Sequence, residues 1–352
     1  MQTCVKTDMQ KVELLDLPIP EPGPGEIVIK TSMATICGSD MHFLDEFPNQ
    51  ILATINPDAV VEQGIPMGHE AVGIVHSAGA EVTRVQPGDR VIGSCITACG
   101  RCRECLRGNH VVCSGGGSVL FGCQSEYYKV PYADVVVAKV PDGVSDEHAV
   151  LATDIMSTGY GAVERAQPRT GSSVAVFAQG PVGLCATAGA RALGCGLVVA
   201  VDTIPERLEM SKRLGANVVI NAAEQDPVAE IMALTDGCGV DIAIEAVGTQ
   251  KTFESCTQVV GRGGSVSSVG VYGLTPQLSL PTLSQSFLHR HIVTTLCPVG
   301  SHRLEALLDL IRYSQVDLSP LFTHRVRLDE ISGAYDLFRS KEGGVLKIAV
   351  TP

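Results

Sequence analysis

The chain has 352 residues, enough for two domains of ordinary size, each with its own core. Asp and Glu outnumber Lys and Arg by 38 to 26, a formal charge of −12 that no Lys/Arg-rich run offsets locally, so a nucleic-acid partner is not expected. No apolar run approaches the roughly 18–20 residues of a membrane helix, and the opening MQTCVKTDMQKVELL lacks the basic flank and apolar core of a signal peptide. The expectation is a soluble, cytoplasmic α/β protein with no membrane partner.

Residues 1–150 read as β-rich. Short β-branched runs, EIVIK, AVGIV, DRVIG and DVVVAKV, alternate with the turn signals EPGPGE, SAGAE, QPGD and PDG. Within this part, ATICGSDMHF places Cys37, Ser39 and His42 inside six residues, and PMGHEAVGIV supplies His69 and Glu70. Taken singly, a cysteine is a packed residue and a histidine a satisfied polar one.

The stretch Ser94–Gly116 holds five of the thirteen cysteines, an odd total that argues for metal ligation or packing over a disulfide framework. Cys99, Cys102, Cys105 and Cys113 are spaced C-x2-C-x2-C-x7-C. A ferredoxin-type run has a shorter last gap and a following Pro. Four thiolates with these gaps can close around a tetrahedral Zn2+, which is then structural because no position stays open. Arg101, Arg103 and Arg107 are expected to offset its charge, and Cys95, outside the spacing, to be packed. Further on, Asp154 stands before IMSTGYGAV, where its side chain reads as a helix N-cap.

From about residue 172 strands and helices alternate: SSVAVFA, PVGLCATAGARALG, LVVAVD, PERLEMSKRLGA, NVVINA, PVAEIMALT, VDIAIEA, QKTFESCTQVV, GGSVSSV and HIVTTLC. Apolar strands alternating with helices predict a doubly wound parallel sheet. RLEALLDLIRYSQ and a strand-like VLKIAVTP end the chain.

In the first turn of this region, VAVFAQGPVGLCA, Gly180 and Gly183 match the second and third glycines of G-x-G-x-x-G, and Ala178 takes the place of the first. Ala178 fits if its φ stays negative. Gly180 lets the backbone approach a pyrophosphate, Gly183 lets helix and strand pack closely, and Pro181 and Val182 open the helix whose N-terminus favours negative charge. Asp202, nineteen residues after Gly183, ends the second strand and would accept hydrogen bonds from both ribose hydroxyls. A carboxylate there repels a 2′-phosphate, and the following TIP offers no arginine to receive one, so NAD is the expected cofactor.

Together, CGSDMH at 37–42, GHEAVGIV at 68–75, PGDRV at 87–91, the four-cysteine lobe and GPVG at 180–183 resemble the zinc-containing medium-chain alcohol dehydrogenases along the whole chain. The segments ATDIMSTGYGAV and TTLCPVGSHRLEALLDLIRYSQVDLSPLFTHRV are most similar to the bacterial secondary-alcohol branch. The resemblance implies a β-rich GroES-like catalytic domain, residues 1–155 with the lobe 94–116. It implies a Rossmann NAD-binding domain, 156–297, and a segment 298–352 that returns to the catalytic domain.

It also implies two zinc ions, one structural and one catalytic, the latter on Cys37, His69 and Asp154. Glu70 is the carboxylate beside the metal, Asp40 orients the histidine ligand, and Ser39 and His42 carry the proton away. Cofactor contacts fall on Thr158, Gly180, Pro181, Val182, Gly183, Asp202, Arg207, Ala246, Val247, Gly248, Val269, Gly270, Val271, Leu296, Cys297 and Lys347. The implied activity is interconversion of secondary alcohols and ketones, in a homo-oligomer with a tetramer favoured. A polyol dehydrogenase of the same fold and a catalytically silent zinc- and NAD-binding relative are the alternatives. Leu296, Met156, Ile155 and Phe43, apolar residues near the open zinc position by motif, lean against the polyol.

Overall fold

The computed structural model describes residues 1–273, 278–280, 289–313 and 316–352, so Ser314 and Gln315 of the RLEALLDLIRYSQ stretch lie outside the described residues. The chain forms two compact units, Met1–Ser157 with Cys297–Pro352, and Thr158–Leu296. Among the described residues no helix is long and apolar enough to cross a membrane.

The first unit is organised by the strand Ile27–Ile36, whose Ile27, Val28 and Ile29 are buried in succession, so that both of its faces are covered. One edge pairs antiparallel with Ala71–Ala78. The other is shared between Tyr127–Val130, opposite residues 27–30, and Lys347–Thr351, opposite residues 34–36. Arg90–Gly93 and Val137–Lys139 extend the sheet on one side and Phe322–Arg327, parallel to the last strand, on the other. Three chain positions thereby reach one end of the sheet. Cys37 follows Ile36, Glu70 precedes Ala71, and Lys347 lies one residue before Ile348, the partner of Ile36.

The second unit is a six-stranded parallel sheet. Its spatial order is Val218–Asn221, Val198–Asp202, Val174–Phe177, Val240–Glu245, Val260–Ser268, His291–Thr294. Numbered within the unit, this is 3-2-1-4-5-6, the doubly wound order, and it reverses beside Val174–Phe177. The turn after that strand therefore lies at the switch point, where a parallel sheet leaves a crevice.

Two local expectations change. DVVVAKV is not one strand: Ala133–Val136 forms a helical turn before the strand Val137–Lys139. Tyr132 in the left-handed region (φ 54°) starts that turn, and Asp134 is committed to the amides of Thr83 and Arg84. Helices Gly38–Asp45 and Asn49–Ile55 interrupt the β-rich stretch.

Candidate metal centres and nucleotide turn

Cys37 is the N-cap of helix Gly38–Asp45. Asp40, three residues on, reaches back and accepts from the Cys37 amide at 2.9 Å, so the cap that starts the helix also sets the cysteine's position. The other Asp40 oxygen lies 2.9 Å from His69 Nδ1. Gln124 donates to Asp40 at 3.2 Å and to the Thr35 carbonyl at 3.0 Å, and it accepts from Tyr335 at 2.8 Å. All of these groups are buried. With Nδ1–H donated to a carboxylate, the His69 lone pair is on Nε2.

That lone pair faces Asp154 Oδ2 at 3.2 Å and Ser39 Oγ at 3.1 Å, and Cys37 Sγ lies 3.6 Å from the same Asp154 oxygen. Donor atoms of Cys37, His69, Glu70 and Asp154 all fall within 4.8 Å of one another. A tetrahedral zinc with bonds of about 2.0–2.3 Å spaces its ligand atoms roughly 3.3–3.8 Å apart, so the set has the right size. Its charge also calls for a cation. Burial works against a charged His69, yet Asp40 and Asp154 outweigh it and hold the imidazole well above its ordinary value. Burial and then Glu70 push the Cys37 thiol up.

Glu70 is completely buried, and its Oε2 accepts from Thr35 and pairs with the ammonium of Lys347. Among the described residues its Oε1 has no hydrogen-bond partner, a carboxylate oxygen left open within the donor set. Burial opposes the Lys347 charge, but Cys37 and Glu70 prevail and shift it upward. Lys347, read from the sequence as a cofactor-region residue, is thus placed beside the metal donors. Cys297 is likewise in the first unit, buried with Cys95 and Val299. His42, on the helix that carries Ser39, is partly exposed with Nδ1 on Glu46 at 2.8 Å. Phe43 stands edge-on to His69 and to Phe121, with centroids 6.0 and 5.3 Å away.

The second cluster gathers Cys99, Cys102, Cys105 and Cys113, with Cys102 and Cys113 sulfurs 3.9 Å apart. Backbone amides aim at these sulfurs: Cys99 N to Cys113 at 3.3 Å, Cys102 N to Cys99 at 3.3 Å, Gly115 N to Cys113 at 3.4 Å. The Cys105 amide is the largest influence bringing Cys102 down to about 5. Burial works against a charged Cys113, but the amides of Cys99 and Gly115 outweigh it and lower its pKa. Burial pushes Cys105 up to about 12. The amides therefore offset thiolate charge, and Arg101, Arg103 and Arg107, to which the sequence pointed, are exposed. A Cβ on Gly115 would sit 2.5 Å from Cys99 Sγ, the steric reason for glycine at the edge of the lobe.

In the second unit, Gly180 caps helix Pro181–Ala192, with Pro181 in its first turn followed by Val182. A Cβ on Gly183 would collide with the Ala178 carbonyl. Ala178 itself has φ 83°, contrary to the negative value expected; the turn is the three-glycine turn with an alanine held in the left-handed region. Asp202 accepts from the amides of Gln179, Thr203 and Ile204 at 2.5, 2.7 and 3.0 Å. A carboxylate offers about four acceptor positions, so roughly one remains where two ribose hydroxyls were expected. Arg207 lies beside Gly180, its guanidinium 3.9 Å from where a Cβ would be.

Gly248 (φ 91°) and Gly270 touch so closely that a Cβ on Gly248 would strike Val271 backbone, which brings the Ala246–Gly248 and Val269–Val271 ends together. Glu245, which the sequence reading passed over, lies buried beneath them and accepts from Val247 N, Gly248 N and Tyr272 at 2.9, 2.8 and 2.8 Å. Val247, Val271 and Leu296 are exposed, and Thr158 is buried.

Residues 23–142 match the alcohol dehydrogenase GroES-like domain and residues 181–312 the zinc-binding dehydrogenase family. An alcohol dehydrogenase of Cupriavidus necator is 40% identical, over 100% of this chain and 99% of its own. An NADP-dependent isopropanol dehydrogenase of Thermoanaerobacter brockii is 35% identical, over 97% and 96%. The solved alcohol dehydrogenase of Thermus sp. ATN1 superposes with a TM-score of 0.90 at 34% identity, covering 100% of this chain and 99% of that one. The chain belongs to the zinc-containing medium-chain alcohol dehydrogenases, with a GroES-like unit and a Rossmann-type unit.

Proposed function

We propose that this alcohol dehydrogenase interconverts secondary alcohols and ketones with NAD, holding a catalytic zinc on Cys37, His69 and Asp154 and a structural zinc on the four lobe cysteines. The observation that carries the reading is the three-donor set of thiolate, imidazole and carboxylate, with Ser39 hydrogen-bonded at its edge. Three protein ligands leave a fourth coordination position, which a closed Cys4 site does not. When bound, the zinc supplies a Lewis acid that lowers the pKa of an alcohol, and NAD supplies the hydride acceptor.

The side chains do the rest. Asp40 keeps His69 in the tautomer that presents Nε2. Ser39 Oγ would take the alcohol proton while giving up its own, and His42, three residues on and partly exposed, would be the group that hands a proton to solvent. Glu70, with one oxygen anchored by Thr35 and Lys347 and the other open, is the carboxylate that can approach the metal during ligand exchange. Phe43, edge-on to His69 and backed by Phe121, puts an apolar ring beside this ligand, which favours a secondary alcohol over a polyol.

Asp202 supports NAD, since its fixed carboxylate repels a 2′-phosphate. The test is kcat/KM for 2-butanol, cyclohexanol and sorbitol with each cofactor. The expected result is turnover of the first two with NAD preferred by at least about tenfold, and a narrowed ratio in Asp202→Gly. Preference for sorbitol or for NADP would overturn the reading.

A further inference from the structure

Asp154 belongs to two donor sets. Besides facing Cys37 and His69, its carboxylate lies within 4.8 Å of the sulfurs of Cys95 and Cys297, which are within that distance of each other. Both thiols are held against the turn that carries Asp154. The Cys95 amide donates to the Thr153 carbonyl at 3.2 Å, and the Cys297 thiol lies 3.7 Å from the Asp154 carbonyl and 3.5 Å from that of Pro298. Each cysteine is only 3% exposed, among Ile96, Val111 and Val299. Cys95 has no part in the chemistry proposed above. A packed thiol pair explains the apolar neighbours, but not its place within 4.8 Å of a carboxylate that also faces a second donor set.

We propose that Cys95, Cys297 and Asp154 form a third metal site, one that takes a thiophilic cation and shares Asp154 with the catalytic centre. Two sulfurs and one carboxylate, shielded from water, favour soft ions over Mg2+ or Ca2+, which need oxygen ligands. Binding releases the thiol protons to solvent. Sharing makes the site inhibitory: a cation behind Asp154 competes for the carboxylate that the catalytic metal uses. This coupling rests on the proposed role of Asp154, whereas the existence of the site does not.

The test uses Cd2+ as the probe on the zinc-loaded full chain. Wild type, Cys95→Ser and Cys95→Val are dialysed against Cd2+, and total zinc plus cadmium per chain is counted alongside the thiolate-to-cadmium charge-transfer absorbance. Exchange of cadmium for zinc elsewhere leaves the total unchanged. Wild type is expected to hold about one more metal per chain than either variant. Both variants are expected to keep wild-type zinc and turnover, and valine fills the pocket should a buried serine hydroxyl weaken folding. Equal totals in all three proteins would overturn the site. An extra cadmium in wild type with undiminished turnover would overturn the coupling while leaving the site standing, and would count against Asp154 as a catalytic ligand.

Discussion

At the residue scale, the decisive contacts are those that hold His69. Its Nδ1 is committed to Asp40, and Asp40 to the Cys37 amide and Gln124, so one carboxylate organises two of the three proposed ligands. Asp40→Asn should weaken metal at this site by roughly 10–100-fold, measured by competition with a chelator, while the Cys4 lobe keeps its metal. Equal affinity would mean that Asp40 only caps the helix. Ala178 gives a second prediction. An alanine in the left-handed region costs about 1–2 kcal/mol, and replacing it by glycine forfeits about 0.5–1 kcal/mol of unfolded-state entropy. Ala178→Gly should therefore stabilise the protein by roughly 0.5 kcal/mol in urea unfolding, and a net loss would show that the alanine is not strained. Cys37 and Ser39 stood out in one short motif, the lobe cysteines through their spacing and His69 in a separate GHE motif, and the structure gathers Cys37, Ser39 and His69 in one place and the four lobe cysteines in another. Thr35, Gln124 and Glu245 were not, because an isolated polar residue announces nothing until folding buries it beside a partner.

At the scale of elements, strand ends build the site. Cys37 leaves one strand, Glu70 enters another and Lys347 opens a third, and the pairing of Ile36 with Ile348 joins segments from opposite ends of the chain. Such pairing has no local signal, so the place of Lys347 beside Glu70 could not be read from the chain. The helical turn Ala133–Val136 is pinned to another loop by Asp134. Burial alone would raise the Asp134 pKa, but the Thr83 hydroxyl and the amides of Thr83 and Arg84 outweigh it and depress the value. A depressed carboxylate adds stability that is present above its unfolded value of about 3.9 and is lost as pH falls through the lower folded value. Asp134→Asn should therefore melt below wild type at pH 7, and the gap should close as pH falls below the ordinary carboxylate range and through the depressed folded value. A pH-independent gap would assign the loss to packing alone.

At the scale of the whole molecule, the second unit was the more legible. Its strands and helices alternate locally, and right-handed crossovers leave little choice of sheet order. In the first unit the antiparallel pairings span long stretches of chain, so its β-rich character could be read from the sequence but its strand order could not. The proposed function needs two zinc ions with different tasks, one in an open centre that turns over and one in a closed site that shapes a lobe. Metal per chain, counted on wild type, Cys37→Ser and Cys105→Ser beside NAD-linked oxidation of 2-butanol, tests it most directly. The prediction is about two zincs in wild type and about one in each variant, with turnover abolished in folded Cys37→Ser. One zinc in wild type, or two zincs and full turnover in Cys37→Ser, would contradict it.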